Sequence, residues 1–327
     1  MYFTCRFLFI LSLITFWAPL AYSQTISGGS DGIDDLPAIS APNHNNGEAS
    51  PSGTMDYSIN PLLGSSTINL EARLTEKTQP ITKGIVWRVF SPIAGSNNTL
   101  PLIAAKEGGN VTFNLPAGEY LIHAAFGRAG ITKKILVEDN KTYHENLVLN
   151  AGGIELKATI PNGKLNESRI KFSIYVGDNE NNEQSLIIPN VKVNSIIRLN
   201  AGQYHIVSSY GNANAVTRTN ATVEAGKLTE VNLEHYAAQI TLKLVREPGG
   251  EALADTSWVI QNDSGDIVRE AANAYVYIVL SEGDYVAIAK NKDQIFQKEF
   301  SVQSGKDSEV EIVASPQNYV HGSGDID

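Results

Sequence analysis

A six-residue pattern returns three times at nearly even spacing, and this limits the fold more than any other feature of the chain. It reads Leu115-Pro116-Ala117-Gly118-Glu119-Tyr120, then Leu199-Asn200-Ala201-Gly202-Gln203-Tyr204, then Leu280-Ser281-Glu282-Gly283-Asp284-Tyr285. The tyrosines lie 84 and 81 residues apart. Upstream of each pattern stands an aromatic-led strand: Trp87-Arg88-Val89-Phe90, Phe172-Ser173-Ile174-Tyr175 or Trp258-Val259-Ile260-Gln261. The units open alike, on Ile68-Asn69-Leu70, Ile154-Glu155-Leu156 and Ile240-Thr241-Leu242. They close alike on a turn and a strand, at Leu147-Val148-Leu149, Val231-Asn232-Leu233 and Val310-Glu311-Ile312. Four landmarks in one order, three times over, mark a duplicated unit of about 80 residues, long enough for a small core of its own.

The unit reads as all-β. Ile154, Leu156, Ala158 and Ile160 alternate with Glu155, Lys157 and Thr159, the period of a half-buried strand. Short apolar stretches recur roughly every 8–12 residues with Gly, Asn, Asp and Pro between them. In the first unit seven such stretches begin near Ile68, Ile85, Leu100, Val111, Tyr120, Ile131 and Tyr143. The Leu-x-x-Gly-x-Tyr pattern resembles the tyrosine corner of Greek-key sandwiches, where the hydroxyl bonds to an upstream backbone group. The expectation is three tandem Ig-like Greek-key β-sandwiches. Tyr120, Tyr204 and Tyr285 would be the corners, and Trp87, Phe172 and Trp258 the core aromatics.

The rest of the chain sorts around these units. Residues 1–23 carry Arg6, an apolar run from Phe7 to Trp17, and Ala21 and Ser23 at positions −3 and −1 of a cleavage site, the layout of a signal peptide. That run is short of the roughly 20 residues of a bilayer span. Residues 24–66, rich in Ser, Gly, Asn and Pro, are expected to form a flexible leader. Sandwiches are expected over 67–151, 152–237 and 238–314, with a flexible tail over 315–327. Cys5, the one cysteine, falls inside the signal, so the mature chain would fold without disulfides. The formal net charge is −10, and −11 once Arg6 is removed, which argues against a nucleic-acid partner. No second apolar stretch is long enough to span a membrane, so a periplasmic or secreted location is expected.

Candidate chemistry is sparse. Gly28-Gly29-Ser30-Asp31-Gly32 has the composition of a nucleophile elbow without the strand before it and the helix after it. None of the six histidines pairs with another at zinc-ligand spacing, so neither metal nor cofactor is expected. Asp178-Asn179-Glu180-Asn181-Asn182-Glu183 offers oxygen donors but lacks the ligand order of a calcium loop, and reads as a hairpin tip. A hydrolase would need carboxylates such as Asp255, Asp263 and Asp266 gathered in one cleft. Six Asn-x-Ser/Thr sequons occur, at Asn97, Asn110, Asn140, Asn166, Asn220 and Asn262. The candidate ligand-binding site is the hairpin of the second unit, where Tyr210, Asn212, Asn214 and Arg218 put aromatic and polar groups on one turn suited to a sugar or peptide. Turn chemistry alone also accounts for the Gly and Asn found there.

The stretch from Arg198 to Val207, continued from Val223 to Glu230, resembles uncharacterised exported proteins of alphaproteobacteria, and that resemblance runs over nearly the whole mature chain. Single units resemble carboxypeptidase-regulatory or transthyretin-like sandwiches. The third unit departs by placing Glu282 where the others have Ala117 and Ala201. The first resemblance implies export and supplies no catalytic residue or ligand. The leading expectation is a non-catalytic protein that binds or spaces within the cell envelope, its partner an envelope protein or a glycan. The alternatives are a carbohydrate- or peptide-recognition module using the second unit's hairpin, a hydrolase, and a subunit assembled by strand addition at a sandwich edge.

Overall fold

A strand that alternates apolar and polar residues can bury one face only, and each repeat supplies two such sets of strands. A computed structural model describes residues 64–96, 98–177 and 184–319. All of them fall within one compact unit of the chain, Asn46–Asp327. The expected signal peptide with Cys5, nearly all of the expected leader, the Gly28–Gly32 motif, Asn97, the acidic 178–183 tip and residues 320–327 lie outside the described residues.

The first repeat runs through β1 (Ser65–Arg73), β2 (Ile85–Phe90), β3 (Leu102–Gly108), β4 (Val111–Pro116), β5 (Gly118–Phe126), β6 (Ala129–Val137) and β7 (Thr142–Val148). The second runs through β8 (Ala151–Thr159), β9 (Ile170–Gly177), β10 (Gln184–Val191), β11 (Ile196–Asn200), β12 (Gly202–Tyr210), β13 (Val216–Val223) and β14 (Leu228–Glu234). The third runs through β15 (Ala237–Val245), β16 (Thr256–Asn262), β17 (Ile267–Ala272), β18 (Tyr275–Ser281), β19 (Gly283–Asn291), β20 (Gln294–Val302) and β21 (Ser308–Val313). In every repeat a three-stranded sheet faces a four-stranded one, ordered β4-β1-β7 and β3-β2-β5-β6 in the first and the same, shifted by seven, in the others. The opening strand pairs antiparallel with the fourth and parallel with the last. In immunoglobulin constant domains, by contrast, the order is A-B-E-D and C-F-G. The described residues contain two 3₁₀ turns and no helix long and apolar enough to cross a membrane.

Each sandwich has its own core. Ile68, Leu70 and Ala72 of β1 point inward with Trp87, Ile122 and Leu147, and equivalent sets surround Phe172 and Trp258. The two tryptophans spend their polar edge on a turn. Trp87 Nε1–H donates to the Gly109 carbonyl and Trp258 Nε1–H to the Asn273 carbonyl, each at 2.8 Å. The corner tyrosines are mostly buried, and each hydroxyl donates to the carbonyl four residues upstream. These bonds are Tyr120 to Pro116 at 3.0 Å, Tyr204 to Asn200 at 2.9 Å and Tyr285 to Ser281 at 2.9 Å. That bond fixes the crossing from one sheet to the other at the point where the chain would otherwise splay.

Beyond β21 the chain does not simply leave the sandwich. Pro316–Asn318 form a 3₁₀ turn, and Tyr319 packs edge-on against Phe296 with ring centroids 6.1 Å apart. An aromatic three residues past a proline-initiated turn can return to the surface it has just left.

Candidate functional site

The features that recur outside the cores sit where one sandwich meets the next. Only Leu149 and Asn150 separate β7 from β8, and only His235 and Tyr236 separate β14 from β15. Links this short leave the neighbouring ends touching, and both joints are built the same way. The Asn150 carbonyl accepts from Ala201 N–H at 2.7 Å, and the Tyr236 carbonyl from Glu282 N–H at 2.8 Å. The β5–β6 turn of the first sandwich and the β12–β13 turn of the second each form a knob that seats on the following sandwich.

The knob depends on backbone geometry at one position. Seven residues after each corner tyrosine the chain turns through positive φ, at Gly127 (+68°), Gly211 (+77°) and Lys292 (+54°). At the two joints this residue is glycine for two reasons. Left-handed backbone is costly for a residue with a side chain. A Cβ would also stand 3.0 Å from the Arg198 Cβ at Gly127, and 2.9 Å from the Val279 Cβ at Gly211. Lys292 adopts the same turn with an exposed side chain, and no following sandwich among the described residues rests on it.

Side chains then fasten each knob. At the first joint Asn200 reaches across to the first sandwich. Its Nδ2 donates to the Gly130 carbonyl at 3.1 Å and to the Leu149 carbonyl at 2.8 Å, and its Oδ1 accepts from Gly130 N–H at 3.1 Å. The Arg198 guanidinium lies 4.4 Å from the Phe126 ring centroid, a cation–π contact. At the second joint the asparagine comes from the knob instead. Asn214 Nδ2 donates to the Tyr285 hydroxyl at 2.7 Å, and its Oδ1 accepts from Ser281 N–H at 3.1 Å. Val279 of the third sandwich is fully buried and completes the core of the second. A second contact flanks each knob: Gly226 lies against Thr75, and Gly305 against Pro161 and Gly163.

This geometry redefines the hairpin expected to bind a ligand. Tyr210 is 2% exposed, so its ring cannot offer a flat face to a sugar; its hydroxyl accepts from Asn166 N–H at 3.4 Å. Asn214 is committed to the third sandwich. Asn212 and Arg218 remain exposed, Asn212 on the turn whose Gly211 and Asn214 meet the third sandwich and Arg218 on β13, paired with Val207. The carboxylates named for a hydrolase are not gathered. Asp255 precedes β16 while Asp263 and Asp266 follow it, about 20 Å of strand away. Asp266 instead closes a turn on Asn262, whose Oδ1 accepts from Ser264 and Asp266 N–H.

Sequence reasoning missed two things. One is how the joints are built: the short links at Asn150–Gly153 and Tyr236–Ala238 suggest a semi-rigid rod, but the knob itself had as its signal the glycine seven residues after the corner tyrosine in two units and its replacement by Lys292 in the third. The other is a polar pair inside the second sandwich. Ser208 Oγ lies 2.7 Å from His235 Nε2, with the residues 0% and 1% exposed. Burial pushes the His235 pKa below the ordinary histidine value. A serine beside a histidine suggests nucleophilic chemistry, but this pair is closed to substrate.

The fold and joints define a chain of tandem β-sandwiches. Residues 239–314, within the third sandwich, match the model of the Rhizobiales growth-associated tandem repeat domain. No curated protein matches the chain. Among solved structures, a streptococcal ancillary pilin is 10% identical over 77% of this chain and 99% of its own, with a TM-score of 0.31. The minor pilin GBS52 of Streptococcus agalactiae is 17% identical over 53% of this chain and 95% of its own, with a TM-score of 0.27. The Bacillus anthracis TIE protein is 17% identical over 77% of this chain, with a TM-score of 0.24, and the chain spans half of its length.

Proposed function

We propose that the chain is a non-catalytic exported protein of the cell envelope, whose three sandwiches act as one stiff spacer carrying binding surfaces on its faces. The observation that carries this reading is the repeated joint. Two glycines stand where a methyl group would collide with the next sandwich, and two asparagines bond across the seam. Beads on a free string need neither. The Ser-His pair is sealed and the aspartates named above stand at opposite ends of a strand, so the reading assigns no reaction to either. The signal-like first 23 residues support export to the periplasm or medium. Cell fractionation with an antibody tests location, the product expected in the periplasm or medium about 23 residues shorter than the full chain. Retention of the full-length chain in the cytoplasm would contradict it. Crosslinking in the native envelope then identifies the partner the spacer presents or reaches.

A further inference from the structure

The middle sandwich buries a polar pair where its neighbours place hydrocarbon, buried at Ala124, Leu149 and Ala289 and partly buried at Ala314. Counted from the corner tyrosines, Ser208 takes the place of Ala124 and Ala289. Counted along the parallel pairing of first and last strands, His235 takes the place of Leu149 and Ala314. The backbone is the same at all three positions: Leu149, His235 and Ala314 N–H donate to the Arg73, Thr159 and Val245 carbonyls, each at 2.8 Å. The fold therefore does not require a histidine here. Burying one costs desolvation that its hydrocarbon counterparts avoid, and burying its cation costs far more.

The pair also sits at the second joint. His235 is the first residue of the two-residue link, and the next carbonyl, Tyr236, is bonded to the third sandwich. The Tyr210 ring lies edge-on to the imidazole, centroids 5.9 Å apart, and Tyr210 is followed directly by the knob glycine Gly211. One ring thus touches both the covalent and the packed connection between sandwiches. The groups facing the imidazole are Ser208 and Tyr210 on β12, while the Thr159 carbonyl at the end of β8 holds the His235 backbone N–H. None of these is a carboxylate, and burial is the cause of the lowered pKa, with no charged neighbour contributing.

We propose that Ser208 and His235 make the joint between the second and third sandwiches acid-sensitive. When the imidazole takes a proton from the medium, the cation leaves its buried seat, Tyr210 loses its packing partner, and the Gly211–Asn214 knob releases the third sandwich. The first joint has Ala124 and Leu149 in these places and, once the partly buried His123 beside Gly130 is replaced, stays closed. This inference rests on the geometry of the joint and holds whatever the spacer presents.

Distances between spin labels test it in the full chain. The background carries Cys5→Ser, and His123→Gln because His123, whose pKa is lowered by burial and by Arg88, lies beside Gly130 of the first joint. Cysteines replace exposed Lys134, Thr222 and Glu299 in pairs, one pair across each joint. On lowering the pH from about 7.5 to about 5, the 222–299 distribution broadens with a midpoint below the ordinary histidine value of about 6.5, while the 134–222 distribution stays narrow. Ser208→Ala with His235→Leu, which copies the first sandwich, abolishes the response. An unchanged 222–299 distribution, equal broadening across both joints, or a response surviving in the double variant would overturn the proposal. If the double variant does not fold, the comparison of the two label pairs still decides.

Discussion

Replacing Gly211 by alanine tests the joint at its tightest point. The backbone there has φ +77°, and left-handed geometry costs a residue with a Cβ about 1–2 kcal/mol. The new methyl would stand 2.9 Å from the Val279 Cβ, and Val279 is fully buried and cannot swing aside. Relieving such an overlap costs a further 1–3 kcal/mol or so, as over-packing in cores does. Gly211→Ala should therefore destabilise the joined second and third sandwiches by about 2–5 kcal/mol. Lys292→Ala is the internal control. That position has φ +54° and already carries a Cβ, its side chain is exposed, and the change should stay within about 0.5 kcal/mol. Urea titration with amide exchange resolved along the chain assigns each loss to a sandwich. The expected loss falls on β8–β21 and spares β1–β7. If Gly211→Ala is as harmless as Lys292→Ala, the close approach at the joint is wrong.

Asn200→Ala removes three hydrogen bonds across the first joint and should cost about 1–3 kcal/mol, read as faster amide exchange at Gly130. Tyr204→Phe deletes the bond to the Asn200 carbonyl and should cost about 1 kcal/mol by urea unfolding, with the sandwich still formed. Folding stability should fall with acid. His235 and His123 both have pKa values lowered in the folded chain, chiefly by burial, so their contribution is complete above the unfolded value of about 6.5 and is lost as pH falls toward the folded values. His235→Leu with Ser208→Ala should flatten that part of the profile in a urea series across pH. Asn212→Ala with Arg218→Ala should leave any binding of envelope glycans by the full chain unchanged, since Tyr210 is buried and Asn214 is bonded to the third sandwich, which leaves the hairpin without its aromatic face; loss of binding in a glycan titration would restore that hairpin as a site.

The sandwich was legible because its determinants are local and repeated. A period of two places Ile68, Leu70 and Ala72 on one face whatever the partner strand, and Leu-x-x-Gly-x-Tyr marks a fixed corner. The joint was less legible because its determinants belong to two units at once. Gly127 looks like an ordinary turn glycine until Arg198 is brought to it, and Asn214 looks like an exposed polar group until Tyr285 arrives. The same confusion made Tyr210 read as a binding surface when it is a core residue. The Ser208–His235 pair is 27 residues apart in sequence and meets only through sheet pairing, so spacing rules had no purchase on it. Aligning the three units by their corner tyrosines sets Ser208 against Ala124 and Ala289, but His235 lies two residues further from its tyrosine than Leu149 and Ala314 do from theirs, so only the strand pairing brings those three into register.

The central claim is that the three sandwiches move as one body. Residual dipolar couplings measured on the full chain near neutral pH test this directly, because each sandwich reports its own alignment tensor. The account predicts one tensor, equal in magnitude and orientation, from couplings in β1–β7, β8–β14 and β15–β21 fitted separately. Three tensors of different magnitude would mean that the joints do not hold and that the chain is a string of independent sandwiches.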